Sequence, residues 1–165
     1  MTAESTPQRG HLVQISVSAK GGVPKLRVAA AEIGSLGVVG DKQRDRRYHG
    51  GPDRAVCLYA SERIAALQAD GHPIAPGTTG ENLTIGGLDW SALAVGSRLT
   101  IGQGVELEIT AYAAPCKTII ASFRDGEFSR MSHKLHPGWS RLYARVLRAG
   151  QVCEGDVVAL VGPQR

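Results

Sequence analysis

The chain has 165 residues, 42% of them hydrophobic but only 5% aromatic, and a formal net charge of +4. That length suits one domain with its own core. No run of about 18 apolar residues is present, so no membrane-spanning helix is expected, and the modest charge with few aromatics argues against a nucleic-acid surface.

Residues 1–10 hold no apolar stretch and read as a disordered tail rather than a secretory leader. Residues 11–162 read as a single domain. Three cysteines, Cys57, Cys116 and Cys153, are widely spaced with no Cys-x-x-Cys pair. That spacing argues against a disulfide framework and against structural zinc. No haem site is expected, and a reducing cytoplasm fits a chain of free thiols.

In chain order, residues 11–17 alternate apolar and polar side chains as a strand does. Lys20-Gly21-Gly22-Val23-Pro24-Lys25 is a turn with two cations; it is either an anion-binding loop or a hairpin turn with solvated lysines. Residues 26–31 read as a strand, and 33–39 follow it. Residues 41–54 carry Lys42, Arg44, Arg46, Arg47 and Arg54 against three aspartates, with His49-Gly50-Gly51-Pro52 as a shaped turn. Arginine forks suit planar oxyanions, and His49 can meet a ligand; the alternative is a solvated charged loop.

Residues 55–60 are an apolar run of strand length, in which Cys57 faces the core. Ser61 is placed to cap a helix over 62–69, with Ile64 and Leu67 on one face and Gly71 as its stop. His72, beside Pro73, reads as a surface loop residue. Gly80-Glu81-Asn82 opens a strand through Leu83 and Ile85; its two polar side chains either point into a pocket or hold a turn. Gly96-Ser-x-Leu99-x-Ile101 recurs loosely as Gly155-Asp156-x-Val158-x-Leu160, as at equivalent corners of one β-structure. Residues 139–147 alternate again, with Arg141, Tyr143 and Arg145 on one face; Arg145 adds a cation if that face lines a cavity. Residues 151–161 read as a closing hairpin strand, with Cys153 incidental in its turn.

The stretch around Cys116 organises the chain. A strand over 105–112 should end at Pro115, which has no N–H to give. A short helix over 117–123 would follow, putting Cys116 in a first helical turn beside Lys117. That environment favours a thiolate, the nucleophilic and metal-ligating form. The other reading of Cys116 is a small buried hydrophobe. Many short strands, frequent glycine turns and one to three short helices define a mainly β, barrel-like class.

Taken in order, these stretches resemble the MOSC domain family. The matching pieces are Gly22-Val-Pro-Lys25, Gly40-Asp-x-Gln43 through His49-Gly-Gly-Pro-Asp-Arg-Ala55, Gly80-Glu-Asn-Leu83 and Pro115-Cys116. A closing segment over 139–156 also fits. The resemblance implies a MOSC-type β-barrel of mixed strands. It implies that Cys116 matches the family's single functional cysteine, a ligand to the metal of the molybdenum cofactor (molybdopterin) in some relatives and a proposed persulfide carrier in others. Some relatives reduce N-hydroxylated compounds. Molybdopterin carries a phosphate and a dithiolene, and a soft thiolate suits a metal already held by sulfur. The expected cofactor-binding set is Lys25, Arg47, His49, Gly50, Gly51, Arg54, Glu81, Asn82 and Arg145.

Departures narrow the expectation. Longer bacterial members carry a further C-terminal helical region, and some reductase members have a basic residue where this chain has Ala113. No flavin or iron–sulfur module is present, so a reductase would need a separate electron-donor protein. The expected partner is otherwise a small-molecule substrate. Three functions follow: a molybdenum-dependent oxidoreductase, a sulfur carrier or sulfurtransferase using a Cys116 persulfide, or a non-catalytic phospholigand-binding module.

Overall fold

In the computed structural model of this chain, residues 8–42 and 51–161 are described. Residues 1–7, and with them most of the expected tail, lie outside the described residues, as do Arg47, His49 and Gly50 of the expected cofactor loop.

Among the described residues, short alternating runs divided by glycine turns give eleven strands: β1 (Arg9–Val17), β2 (Leu26–Val28), β3 (Ala30–Gly34), β4 (Gly37–Val38), β5 (Val56–Ala60), β6 (Leu83–Gly86), β7 (Arg98–Ile101), β8 (Val105–Ala113), β9 (Arg141–Arg148), β10 (Gly150–Cys153) and β11 (Val157–Val161). Seven of them close a barrel in the order β1–β6–β5–β9–β8–β7–β11, with β11 returning to β1. The long β1 serves twice: its residues 9–11 pair with β11 and its residues 15–17 with β2. The β5–β6 pair is parallel while the other barrel pairs are antiparallel, so the barrel is mixed, as expected. Parallel neighbours need a crossover, supplied by helix α1 (Ser61–Ala69) and the loop after it. Leu12, Ile15, Leu58, Leu83, Leu99 and Leu107 are fully buried in the core, each contributing roughly 1.5–3 kcal/mol of burial free energy. A second sheet, β10–β3–β4, lies beside the barrel strands in the chain's topology.

The two strand-opening turns with similar sequence are partners. Leu99 pairs with Leu160 and Ile101 with Val158 across antiparallel β7 and β11.

Several expectations are corrected. The first strand starts at Arg9, so Arg9 and Gly10 are not tail. The run over 26–31 is divided between β2 and β3, with Ala29 between them. Residues 151–161 do not form a hairpin: β10 pairs with β3, while β11 joins the barrel. The Glu154 N–H donates to the Ala29 carbonyl at 2.9 Å, which holds that corner on the second sheet. Ser61 is the first helical residue rather than the cap, because β5 runs directly into α1 through Ala60. His72 is buried, and its Nδ1 accepts the Arg124 N–H at 3.1 Å.

Between β8 and β9 the chain makes short 3-10 turns, not an α-helix. This segment is pinned to the barrel at its end. The Tyr59 hydroxyl donates to the Trp139 carbonyl at 2.7 Å, and Arg63 Nε donates to the Gly138 carbonyl at 3.0 Å. The Arg63 guanidinium also lies over the Trp139 ring, 4.4 Å from its centroid.

Candidate functional site around Cys116

β8 ends at Ala113, and the 3-10 turn Lys117–Ser122 begins just past Pro115. Cys116 precedes that turn. Its backbone is extended (φ −144°, ψ 179°), and its carbonyl accepts the Ile119 N–H at 3.1 Å. The expected placement inside a first helical turn is therefore corrected, and a helix dipole is not what acts on the sulfur. The thiol is half-buried, and its Sγ lies 2.9 Å from Thr118 Oγ1.

The floor beside this loop is built by three strands. Cys57 on β5 and Ala111 on β8 both pair with Tyr143 on β9. Cys57, Ala113 and Tyr143 form a small buried cluster separate from the main core. An irregularity between Ile109 and Ala111 interrupts the β8–β9 register. The Thr110 hydroxyl in that irregularity donates to the Asp53 carbonyl. This moors the 3-10 turn Pro52–Arg54, and the Arg54 guanidinium lies over the Tyr143 ring, 5.3 Å from its centroid. Burial pushes the Cys57 thiol up to about 11 and also raises the Tyr143 phenol, which feels the charges of Cys57, Arg141, Arg54 and Cys116. Both groups are therefore neutral near pH 7.

Arg141, the first residue of β9, pairs with Ala113 at the end of β8. It is only 5% exposed. Its Nη1 donates to the Thr79 carbonyl at 2.6 Å and its Nη2 to the Ala114 carbonyl at 3.3 Å. Its buried Nε has no acceptor. One guanidinium thus ties the loop before β6 to the loop that carries Cys116.

Behind Cys57 lies a second polar group. Asn82 Oδ1 accepts the Cys57 N–H at 3.1 Å, and its Nδ2 donates to Asp41 Oδ2 at 2.9 Å. Lys25 Nζ sits 2.6 Å from the same Asp41 oxygen, with both side chains over nine-tenths buried. The Ser18 N–H donates to the other Asp41 oxygen at 2.8 Å. Glu81 is fully buried, accepts from the Gly77 N–H and the Thr79 hydroxyl, and has its carboxyl raised by burial. Gly77 has φ +86°, and a Cβ there would stand 2.4 Å from the Lys25 carbonyl oxygen, so this close approach needs glycine.

The structure thus divides the expected set. Cys116 and Arg54 share the neighbourhood of Tyr143. Lys25, Glu81 and Asn82 are buried and internally paired, joined to that neighbourhood through Cys57. Arg145 is exposed, 3.8 Å from Asp53 and 3.6 Å from Glu108. Gly51 lies on a cleft of about 320 Å³ with Asp41, Lys42, Leu36, Gly37, Val38 and Ala55. Among the described residues no group of three or more His, Cys, Asp or Glu is gathered as a metal site, and no helix is long and apolar enough to cross a membrane. The sequence reading missed Asp41, Arg141 and Tyr143. For the last two the signal was the alternation over 139–147, which put Arg141 and Tyr143 on the face of Arg145.

The comparisons agree with this architecture. The MOSC domain profile matches residues 45–159. The uncharacterized protein YflK of Bacillus subtilis is 31% identical over 74% of this chain and 54% of its own length. Protein YiiM of Escherichia coli is 32% identical over 76% of this chain and 57% of its own. A protein of Gibberella moniliformis named "Reductase" is 28% identical over 77% of this chain, but that is 23% of its own length. The chain thus spans about half the length of the two bacterial relatives. Among solved structures, the YUAD protein from Bacillus subtilis superposes with a TM-score of 0.74 at 17% identity, covering 96% of this chain and 99% of that one. YiiM from Geobacillus stearothermophilus superposes with a TM-score of 0.69 at 24% identity, over 92% of this chain and 75% of that one. With a profile match over most of its length, and the barrel and cysteine loop in place, this chain belongs to the MOSC domain family.

Proposed function

We propose that this chain binds the molybdenum cofactor with Cys116 as a ligand to the metal, and that it serves the reduction of N-hydroxylated compounds with electrons from a separate donor protein. The observation that carries this reading is the position of Cys116. Its half-buried sulfur stands in the electrostatic neighbourhood of Tyr143, Arg54 and Arg141, whereas Cys57 is buried and Cys153 lies exposed at the end of β10.

The donor set fits the group. Cys116 offers a single soft sulfur, which suits a metal that brings its other ligands with it, as one held by a dithiolene does. Arg141 offers a buried N–H without an acceptor. When bound, the cofactor supplies a redox-active metal centre. Cys116 would hold that centre, and Arg54 and Arg141 would balance negative charge on the bound group. Arg47, His49 and Gly50 are proposed to complete the binding loop, with Gly51 at its root. Lys25, Glu81 and Asn82 act indirectly, by fixing the loops on which the site rests. A small molecule is the proposed substrate, and the cytoplasm the proposed compartment. The reductase name of the Gibberella relative supports this direction of chemistry.

A sulfur-carrier role is the second reading, favoured by a half-buried thiol whose Sγ lies 2.9 Å from Thr118 Oγ1. The deciding experiment is elemental analysis of protein from a cofactor-competent host, wild type beside Cys116→Ser. The cofactor reading expects near-stoichiometric molybdenum that is lost in the variant. Absence of molybdenum from both, with a known molybdoenzyme from the same host loaded, overturns it. A Cys116 persulfide seen by mass spectrometry would then establish the carrier.

A further inference from the structure

We propose that the surroundings of Cys116 select anionic groups, and that the charge responsible is Arg141. The ligand class is an oxyanion: a phosphate, carboxylate or sulfonate group brought against the 114–116 loop. This rests on the reading that Cys116 is the working sulfur, but it assigns the binding charge to a residue outside the expected set.

The argument is one of charge balance. Lys25 is matched by Asp41 at 2.6 Å. Arg145 lies within 4 Å of both Asp53 and Glu108. Arg141 is bound to two carbonyl oxygens, those of Thr79 and Ala114, and its Nε meets no acceptor. No described carboxylate forms an ion pair with it. Glu81 is the buried carboxyl that interacts with it electrostatically, and burial favours the neutral form of Glu81.

A guanidinium 95% removed from water, with carbonyl partners alone, weakens the fold compared with an apolar side chain of similar size. An incoming anion offsets that cost. The interior around Arg141 also screens its charge less than water would, so the field reaches the loop it holds. Among the described residues, the other charged or titratable groups around this neighbourhood include Arg54 from the 52–54 turn, Lys117 next in sequence to the sulfur, Tyr59 on β5, whose phenol is raised by burial, and Tyr143 and Cys57 from the strands. The last two are kept neutral by burial.

The test uses metal-free full-length protein. Iodoacetate, an anion, and neutral iodoacetamide attack the same form of the same sulfur, so the ratio of their rates at Cys116 cancels any change in its ionisation. Rates are read by mass spectrometry of the Cys116 peptide. Arg141→Met should lower the iodoacetate-to-iodoacetamide ratio about 3- to 10-fold, the range expected of one unit charge across partly screened protein. Arg141→Lys should keep the ratio within about twofold of wild type, while a loop that had merely lost its hydrogen bonds would not be rescued by the shorter side chain. An unchanged ratio in Arg141→Met overturns the proposal, as does a larger fall in Lys117→Gln than in Arg141→Met.

Wild type supplies an independent arm should Arg141→Met not fold. Millimolar inorganic phosphate should slow iodoacetate at Cys116 more than chloride at equal ionic strength does, and equal slowing overturns the proposal. The outcomes also separate the two readings. A ratio that falls in a chain that never carries molybdenum leaves the anion site standing without the cofactor. An unchanged ratio in a chain that loads molybdenum does the reverse.

Discussion

Replacing Lys25 by Met separates two roles this residue could have. If Lys25 held a ligand phosphate, its loss would weaken ligand binding and leave the fold intact. The structure instead shows its ammonium 2.6 Å from Asp41, with the two side chains 9% and 4% exposed. Removing one member of a buried pair strands the other and costs about 3–5 kcal/mol. The lower end applies here, because the Ser18 N–H and Asn82 Nδ2 continue to hold the Asp41 carboxylate. A loss of about 3 kcal/mol in a domain of this size lowers Tm by roughly 6–12 °C. Adding Asp41→Asn removes the stranded charge, and the double variant should return to within about 1 kcal/mol of wild type. Urea denaturation at neutral pH, followed by tryptophan fluorescence, measures wild type, each single variant and the double variant. The reasoning is refuted if Lys25→Met stays within about 0.5 kcal/mol of wild type, or if the double variant is as unstable as the sum of the singles.

Two further outcomes follow from the same network and its neighbour. Burial raises the Glu81 carboxyl above its ordinary value, so the folded state holds a proton that the unfolded chain releases. The stability this group contributes is present below the unfolded value near 4.5 and is lost as pH rises through the folded value. Glu81→Gln should therefore gain relative to wild type between acidic and neutral pH, and paired urea titrations at pH 4 and pH 8 that show no such gain would reject the assignment. Tyr59→Phe removes the hydroxyl donated to the Trp139 carbonyl at 2.7 Å and should cost about 1–2 kcal/mol by leaving a carbonyl short of its partner. A neutral result in thermal melts would show that this carbonyl finds water instead.

What the chain disclosed depended on the range of the forces involved. Alternation located β1 and β8 to within two residues, because the in-out period of a strand is written locally. The division of β2 from β3, and the pairing of β10 with β3, depend on which distant strand offers its edge; residues 30–33 do not encode that choice by themselves. At the site, the single Pro-Cys step singled out Cys116, which the structure leaves half-buried just before the Lys117–Ser122 turn. Which arginine of the 139–147 run is buried was not legible, for a physical reason. Arg141 and Arg145 share one face, and only the tertiary fold buries the first and exposes the second. Likewise the Lys20–Lys25 turn reads as either an anion-binding loop or a hairpin with solvated lysines, and neither reading shows that Lys25 pairs with Asp41, sixteen residues downstream.

The double use of β1 bears on how the chain reaches this shape. The barrel's closing seam joins Arg9 to Ala159 and His11 to Val157, so the first stave made must wait for the last. On a ribosome, residues 9–11 emerge before the strands that follow and keep an unpaired edge until residues 157–159 are made. Their neighbours in β6 can engage sooner, but the hoop shuts only after β11 leaves the exit tunnel. Such end-to-end contacts slow folding, and an exposed strand edge held open for that interval is a template for wrong partners. Early arrest of synthesis, even by a few residues within β11, would therefore release an open sheet rather than a slightly shortened barrel.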